Sequence, residues 1–194
     1  MNYKPPYELT DEMMRLVASI TEKTIYSEIQ NDLSGKPYLR RSSRIQSIHA
    51  SLQIEGNSLS FQDMQDVLDG HPATGPSNEI QEVKNAYKAY EQISKIDPYS
   101  LKDLKRIHGM MTDGLLSESG KFRACEEGVF SDGQCIFMAP PARLVPSEMQ
   151  DLSFWMKRSK DSVHPLILSA VFHYEFVFIH PFADGNGRMA RLWH

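Results

Sequence analysis

The chain lacks several of the features that would place it in a broad functional class. It has no excess of basic residues: 21 Lys and Arg stand against 25 Asp and Glu, a formal net charge of −4. A general electrostatic attraction to nucleic acid or to an anionic membrane is therefore not expected. It has no apolar run of membrane-spanning length, because the longest, around Leu166 to Ile179, is interrupted by His173, Tyr174 and Glu175. The opening MNYKPPYELTDEMM is polar and carries prolines, without the apolar stretch of a signal peptide. A cytoplasmic protein with no membrane and no nucleic acid partner is the expectation. Cysteine is scarce. In that setting Cys125 and Cys135 read as free thiols rather than as a disulfide, and neither sits in a zinc-ligand spacing. Repeats, low-complexity tracts and linkers are absent, and 194 residues suit one domain with a substantial core.

What is present is a run of helix signals. Thr10 followed by Asp11 and Glu12 is a helix start, and apolar residues recur at Met13, Leu16, Val17 and Ile20. A second helix is expected from about Leu39 to Glu55, stopped by Gly56-Asn57. Ser60 caps a short helix ending near Gly70, with Asp63 in the capping-box position. Ser77 to Lys95 reads as one long helix, Leu101 to Asp113 as another, and Ser147 as the cap of a helix to Lys160. Pro165 opens an apolar helix to Ile179 that should be buried on most sides. Between Lys121 and Pro141 the helical period disappears. Ser131-Asp132-Gly133-Gln134 then marks the turn of a β-hairpin.

The chemistry-bearing stretch runs from His180 through Pro181, Phe182, Ala183, Asp184, Gly185, Asn186, Gly187, Arg188, Met189 and Ala190 to Arg191. Pro181 disfavours helix at His180, so the apolar helix should end there. Gly185 and Gly187 permit a tight loop before the chain re-enters a helix, which aims backbone N–H groups at a natural anion site. Arg188 and Arg191 fall in the first turns of that helix, where cations oppose the macrodipole by about 0.3–1 kcal/mol each. Tolerating that cost points to an anionic ligand. Asp184 supplies an oxygen ligand suited to Mg²⁺, and His180 a proton acceptor near neutral pH. These are the parts of a phosphoryl-group site. A calcium loop is excluded because Met189 stands where its glycine is required, and a P-loop because Gly120-Lys121 is followed by Phe122. His173, seven residues before His180, reads as a packed side chain rather than a metal ligand.

This stretch resembles the signature of the Fic family, His-x-Phe-x-Asp/Glu-Gly-Asn-Gly-Arg-x-x-Arg, at every specified position. Gly120-Lys121-Phe122-Arg123, the hairpin and Ala139-Pro140-Pro141 resemble the family's flap region. The resemblance implies an all-α core with a small β-hairpin flap. It divides the chain into N-terminal helices over 1–70 and a catalytic core over 71–194, with the flap at about 121–141 and the catalytic loop at 180–191. It implies a protein adenylyltransferase, moving AMP from ATP to a Ser, Thr or Tyr hydroxyl of a protein, which could be the chain itself. His180 would take the hydroxyl proton and Asp184 would hold Mg²⁺. Gly185, Asn186 and Gly187 would form the anion hole, and Arg188 and Arg191 would grip the β- and γ-phosphates. The flap residues Val129, Phe130, Ile136, Phe137 and Met138 would pair with an extended target segment. Glycine at 187, where the phosphate-transferring Doc relatives carry lysine, argues for nucleotide transfer.

Ser51-Leu52-Gln53-Ile54-Glu55-Gly56 resembles the family's inhibitory motif, Ser/Thr-x-x-x-Glu-Gly/Asn. Ser51 and Glu55 share a helix face, and Glu55 lies in the last turn, where the dipole disfavours a negative charge. It calls for a cation, and Arg191 is the expected partner. Removal of AMP from a modified protein, transfer of another phosphate-containing group, and a non-enzymatic nucleotide-dependent regulator are the competing readings. The last helix stops sooner than the resemblance leads one to expect, and a homodimer could compensate.

Overall fold

A computed structural model of the chain describes residues 3–30, 37–131 and 134–194, with only the backbone described at 27–30, 37, 129–131 and 134–136. Eight α-helices and one hairpin are described: α1 (Asp11–Gln30), α2 (Pro37–Ile54), α3 (Phe61–Asp69), α4 (Ser77–Tyr90), α5 (Leu101–Met111), β1 (Gly128–Ser131), β2 (Gln134–Met138), α6 (Val145–Ser159), α7 (Pro165–Ile179) and α8 (Asn186–Trp193). The fold is all-α with a small antiparallel hairpin, as the sequence predicts.

The boundaries follow local chemistry. Ser60 accepts the Asp63 N–H, Asp63 returns a bond to Ser60, and Gly70 closes α3 in the left-handed conformation (φ 79°). The Ser100 hydroxyl accepts the Asp103 N–H to start α5. Four helices depart from expectation. Helix α2 starts two residues early, at Pro37, and ends at Ile54, because the Glu55 N–H bonds the Leu52 carbonyl in an i→i+3 turn that leaves Glu55 outside the helix. The predicted 77–95 helix ends at Tyr90, because i→i+3 bonds (Gln92 N–H to Ala89, Lys95 N–H to Gln92) tighten the chain into a 3₁₀ turn over Ile93–Lys95. Helix α5 stops at Met111, two residues early. Helix α6 starts before Ser147, because Pro146 fits its first turn, and the Ser147 hydroxyl donates to the Leu144 carbonyl instead of capping. The Asp132-Gly133 turn lies outside the described residues. The strands beside it pair Gly128 with Met138 and Val129 with Phe137, then shift register before Phe130 pairs with Cys135.

Helix α7 is the spine of the core. Ile167, Leu168, Val171, Phe172, Phe176 and Ile179 are buried against α6 and α8, while α5 packs on α4 and α6, and α2, α3 and α4 on one another. Its burial is less complete than expected. Tyr174, Val177 and Phe178 leave one face exposed. In α1, Met13 and Val17 pack against the core while Leu16 and Ile20 stay largely exposed. Among the described residues, no helix is long and apolar enough to cross a membrane.

Gly120 (φ 73°) reverses the chain ahead of the hairpin, and an added Cβ there would meet the Lys105 carbonyl at 3.1 Å, whereas Gly70 (φ 79°) faces open space. Gly70→Ala is expected to cost about 1–2 kcal/mol from left-handed backbone alone. Gly120→Ala should cost more, because a backbone carbonyl must also move. Urea unfolding midpoints of the two variants check the order.

Candidate active site

The loop between α7 and α8 is held in an uncommon backbone shape. His180 ends α7 with φ 51° and ψ 60°, the only positive φ on a non-glycine residue among those described. Arg123 stabilises that bend. It is buried, and its guanidinium donates to the carbonyls of His180 (2.7 Å), Cys125 (2.9 Å), Ile179 (3.3 Å) and Pro140, while its N–H donates to Pro181 (2.9 Å). One side chain therefore ties the end of α7 to both legs of the hairpin.

Beyond His180 the loop is closed on itself. Phe182 is fully buried, and Asn186 brackets it: Asn186 Nδ2 donates to the Phe182 carbonyl (2.6 Å), and its Oδ1 accepts the Phe182 N–H (2.9 Å). The side chain of Asn186 is thus a loop staple, and only its amide is available to a ligand. Gly185 takes φ 78° at the N-cap of α8. Its N–H goes to Asp184 Oδ1 (2.6 Å). The amides of Asn186 and Gly187, in the first turn of α8, have no acceptor within the helix. Of the three amides expected to meet an anion, that of Gly185 is taken by Asp184, and those of Asn186 and Gly187 are the ones left open.

The charged residues converge on it. Asp184, whose side chain is 60% exposed, accepts from Arg188 (2.8 Å). Arg188 is buried and also donates to Glu82 on α4 (3.2 Å), yet its Nε is buried without a protein partner. Arg191 turns to α2, donating to Ser51 Oγ (2.8 Å), to the Ser51 carbonyl (3.0 Å) and to Glu55 Oε1 (2.5 Å). Glu55 lies so close over the loop that a Cβ added at Gly187 would collide with its carboxylate. Gly56 follows with φ 90°, releasing the chain from α2 directly after the glutamate.

His180 is half-buried and lines an open groove of about 810 Å³ shared with Phe137, Tyr174, Val177, Phe178 and His194. Burial lowers its pKa from the ordinary imidazole value. The Val177 carbonyl opposes this, Arg123 adds to it, and Glu127 and Asp184 oppose it. The ring is accordingly neutral at physiological pH, as a proton acceptor must be. His173 packs edge-on to His194 (5.4 Å). Among the described residues no group of three or more His, Cys, Asp or Glu side chains is placed to hold a metal. A magnesium ion needs only one or two protein carboxylates when phosphates and water supply the rest. The exposed Asp184, beside free amides, fits that requirement.

In the hairpin, Phe137 packs on Phe178 (5.3 Å) and Met138 is exposed. The side chains of Val129, Phe130 and Ile136 lie outside the described residues, as does that of Cys135. Cys125 is free and exposed.

An α-helical fold with one small hairpin here brings together a His-ended helix, a glycine loop and an arginine-bearing helix start. The model of the Fic/DOC family matches residues 98–194, and the chain belongs to that family. A protein adenylyltransferase Fic of Culex quinquefasciatus is 32% identical over 175 residues, covering 82% of this chain and 33% of that protein. The Drosophila mojavensis counterpart is 31% identical over 195 residues, covering 95% and 37%. The chain thus spans about a third of the length of these curated relatives. Among solved structures, a Fic family protein from Desulfovibrio desulfuricans G20 superposes with a TM-score of 0.91 at 44% identity, covering 98% of this chain and 58% of that one. A Fic domain containing signaling protein from Bacteroides thetaiotaomicron gives 0.76 at 25%, covering 88% and 69%.

Three residues at this site escaped the sequence reading: the anchoring role of Arg123, Glu82 as partner of Arg188, and the buried His108, which contacts Asp184. Arg123 had a signal, standing in a quoted motif. Glu82 and His108 had none, being an ordinary helical glutamate and histidine. Replacing Arg123 by Lys keeps the charge but cannot span its carbonyls. Each buried acceptor left bare costs about 1–3 kcal/mol. Arg123→Lys should therefore lower the thermal midpoint clearly, as read by calorimetry.

Proposed function

We propose that the chain is a protein adenylyltransferase held in check by Glu55. In this reading ATP lays its phosphates over the Asn186 and Gly187 amides, with Asp184 holding Mg²⁺, which neutralises phosphate charge. Arg188 and Arg191 face the β- and γ-phosphates. His180 accepts the proton of a target hydroxyl, whose oxygen forms a bond to the α-phosphorus. The bond from that phosphorus to the β-phosphate oxygen breaks, and pyrophosphate leaves. The outer edge of the hairpin would take an extended target segment by strand addition, setting the hydroxyl near His180. The groove beside His180 has the size of a small-molecule site.

The observation that carries the reading is the pair of open amides at the α8 N-terminus, set between Asp184 and the two arginines, one turn of loop after a neutral His180. The adenylyltransferase relatives support the choice of nucleotide transfer. Autoinhibition is supported by the place of Glu55. It binds Arg191 and lies over Gly187, where a γ-phosphate would have to sit. The same pairing is consistent with the inhibitory assignment of Ser51 and Gly56, which fix Arg191 and the helix end.

Incubation with α-labelled ATP and Mg²⁺ tests the proposal. Glu55→Gly should raise label transfer to the chain or to lysate proteins by about tenfold or more, each decade corresponding to 1.36 kcal/mol. His180→Ala should abolish transfer in both backgrounds. Absence of transfer from wild type and Glu55→Gly alike rejects the activity. Because the folded His180 pKa lies below the usual value of about 6.5, kcat/KM of Glu55→Gly should hold as pH falls through 6.5. It should decline only below that point, when the ring protonates. An acidic limb centred above 6.5 contradicts this assignment.

A further inference from the structure

Behind the loop lies a histidine that none of the steps above uses. His108, on α5, is completely buried. Its ring stacks on Phe182, with centroids 3.7 Å apart and planes within 5°. Nδ1 accepts the Gly120 N–H at 2.9 Å, and Nε2 stands 3.0 Å from the Asp184 carbonyl. These partners leave one arrangement of the proton. A backbone N–H can only donate, so Nδ1 carries the lone pair. A carbonyl can only accept, so Nε2 carries the hydrogen. The ring is a neutral Nε2–H imidazole, locked at both ends.

What it locks is the peptide between Asp184 and Gly185. In a trans peptide the C=O and N–H point to opposite sides. With the Asp184 carbonyl drawn inward by His108, the Gly185 N–H points outward, where it meets the Asp184 carboxylate at 2.6 Å. Gly185, with φ 78°, has little resistance of its own to a crankshaft rotation of that peptide. A flip would turn the carbonyl dipole outward, toward the proposed anion site, and remove one of the carboxylate's two anchors, leaving Arg188 alone to hold it. The space beside the ring is tight enough to oppose other placements: a Cβ at Gly185 would lie 3.6 Å from Nε2 and 3.3 Å from the Thr112 methyl.

We propose that His108 is a positioning residue for nucleotide transfer, a neutral strut that holds the 184–185 peptide with its carbonyl inward and the Asp184 carboxylate outward. The proposal rests on the adenylyltransferase reading, but its structural half stands without it. The strut also links the segments around two left-handed glycines, Gly120 ahead of the hairpin and Gly185 at the start of α8.

Two substitutions separate the ring's two bonds. His108→Gln can place an amide N–H near the Nε2 position and keep the bond to Asp184. His108→Asn can place an acceptor near Nδ1 and keep the bond to Gly120. Both lose the stacking on Phe182. In the full chain carrying Glu55→Gly, His108→Asn should lower kcat for AMP transfer by about 10- to 100-fold, the range found when the outer partner of a ligand is removed. His108→Gln should retain most of the rate at a similar thermal midpoint. Equal losses in the two variants, or losses that only track the folded fraction, would overturn the proposal. Long-range ¹H–¹⁵N correlation of the ring gives a readout independent of catalysis: the Nε2–H tautomer is expected, and an Nδ1–H tautomer rejects the strut. If the parent transfers no AMP, the functional reading fails while the tautomer still decides the structural claim.

Discussion

The architecture around the loop depends on one buried cation among carbonyls. Arg123 gathers oxygens from Ile179 and His180 at the end of α7 and from Cys125 and Pro140 on the two legs of the hairpin. Helix ends expose carbonyls without partners, and a guanidinium with its fixed fork of donors can satisfy several at once where an ammonium cannot. The left-handed turn at His180 is sustained by this contact. From that turn follow the direction of the loop, the exposure of the imidazole to the groove and the distance between hairpin and α7. The same charge helps to keep the His180 ring neutral, so anchoring and electrostatics come from a single residue.

A second layer of the structure fixes the shape of the loop. Phe182 is the plug, stacked on His108 and bracketed by Asn186. Once the plug is seated, the Asp184 carbonyl and the Asn186 side chain are bonded inward, while the amides of Asn186 and Gly187 have no acceptor within α8. Arg188 is supported from α4 by Glu82, which also accepts from Asn57 (2.8 Å). The turn after α2 and the loop before α8 are in this way linked through one carboxylate.

Much of this was legible in the sequence where the cause is local. Ser60, Asp63 and Gly70 announce α3, and Pro165 and Pro181 bound α7, because caps and prolines act on their own backbone. The loop between α7 and α8 was readable for the same reason, with Pro181 just past the end of one helix and Gly185 at the start of the next. The end of α4 carried no such mark, since a 3₁₀ turn without glycine or proline looks helical. The exposed face of α7 was hidden because an apolar residue does not record what covers it. Contacts such as His108 with Asp184, 76 residues apart, or Arg188 with Glu82, 106 apart, belong to tertiary packing, and no periodicity reports them. The pairing of Glu55 with Arg191 was accessible only because a short motif resembled one that functions across such a distance.

That last contact has a mechanical side. Ser51, in the last turn of α2, and Glu55, just past its end, both hold one guanidinium of α8. Rolling α2 about its own axis by a fraction of a turn would withdraw both grips together, with no rearrangement inside the glycine loop. Under the proposed reading, the end of α2 and the start of α8 act as a single latch closed on Arg191.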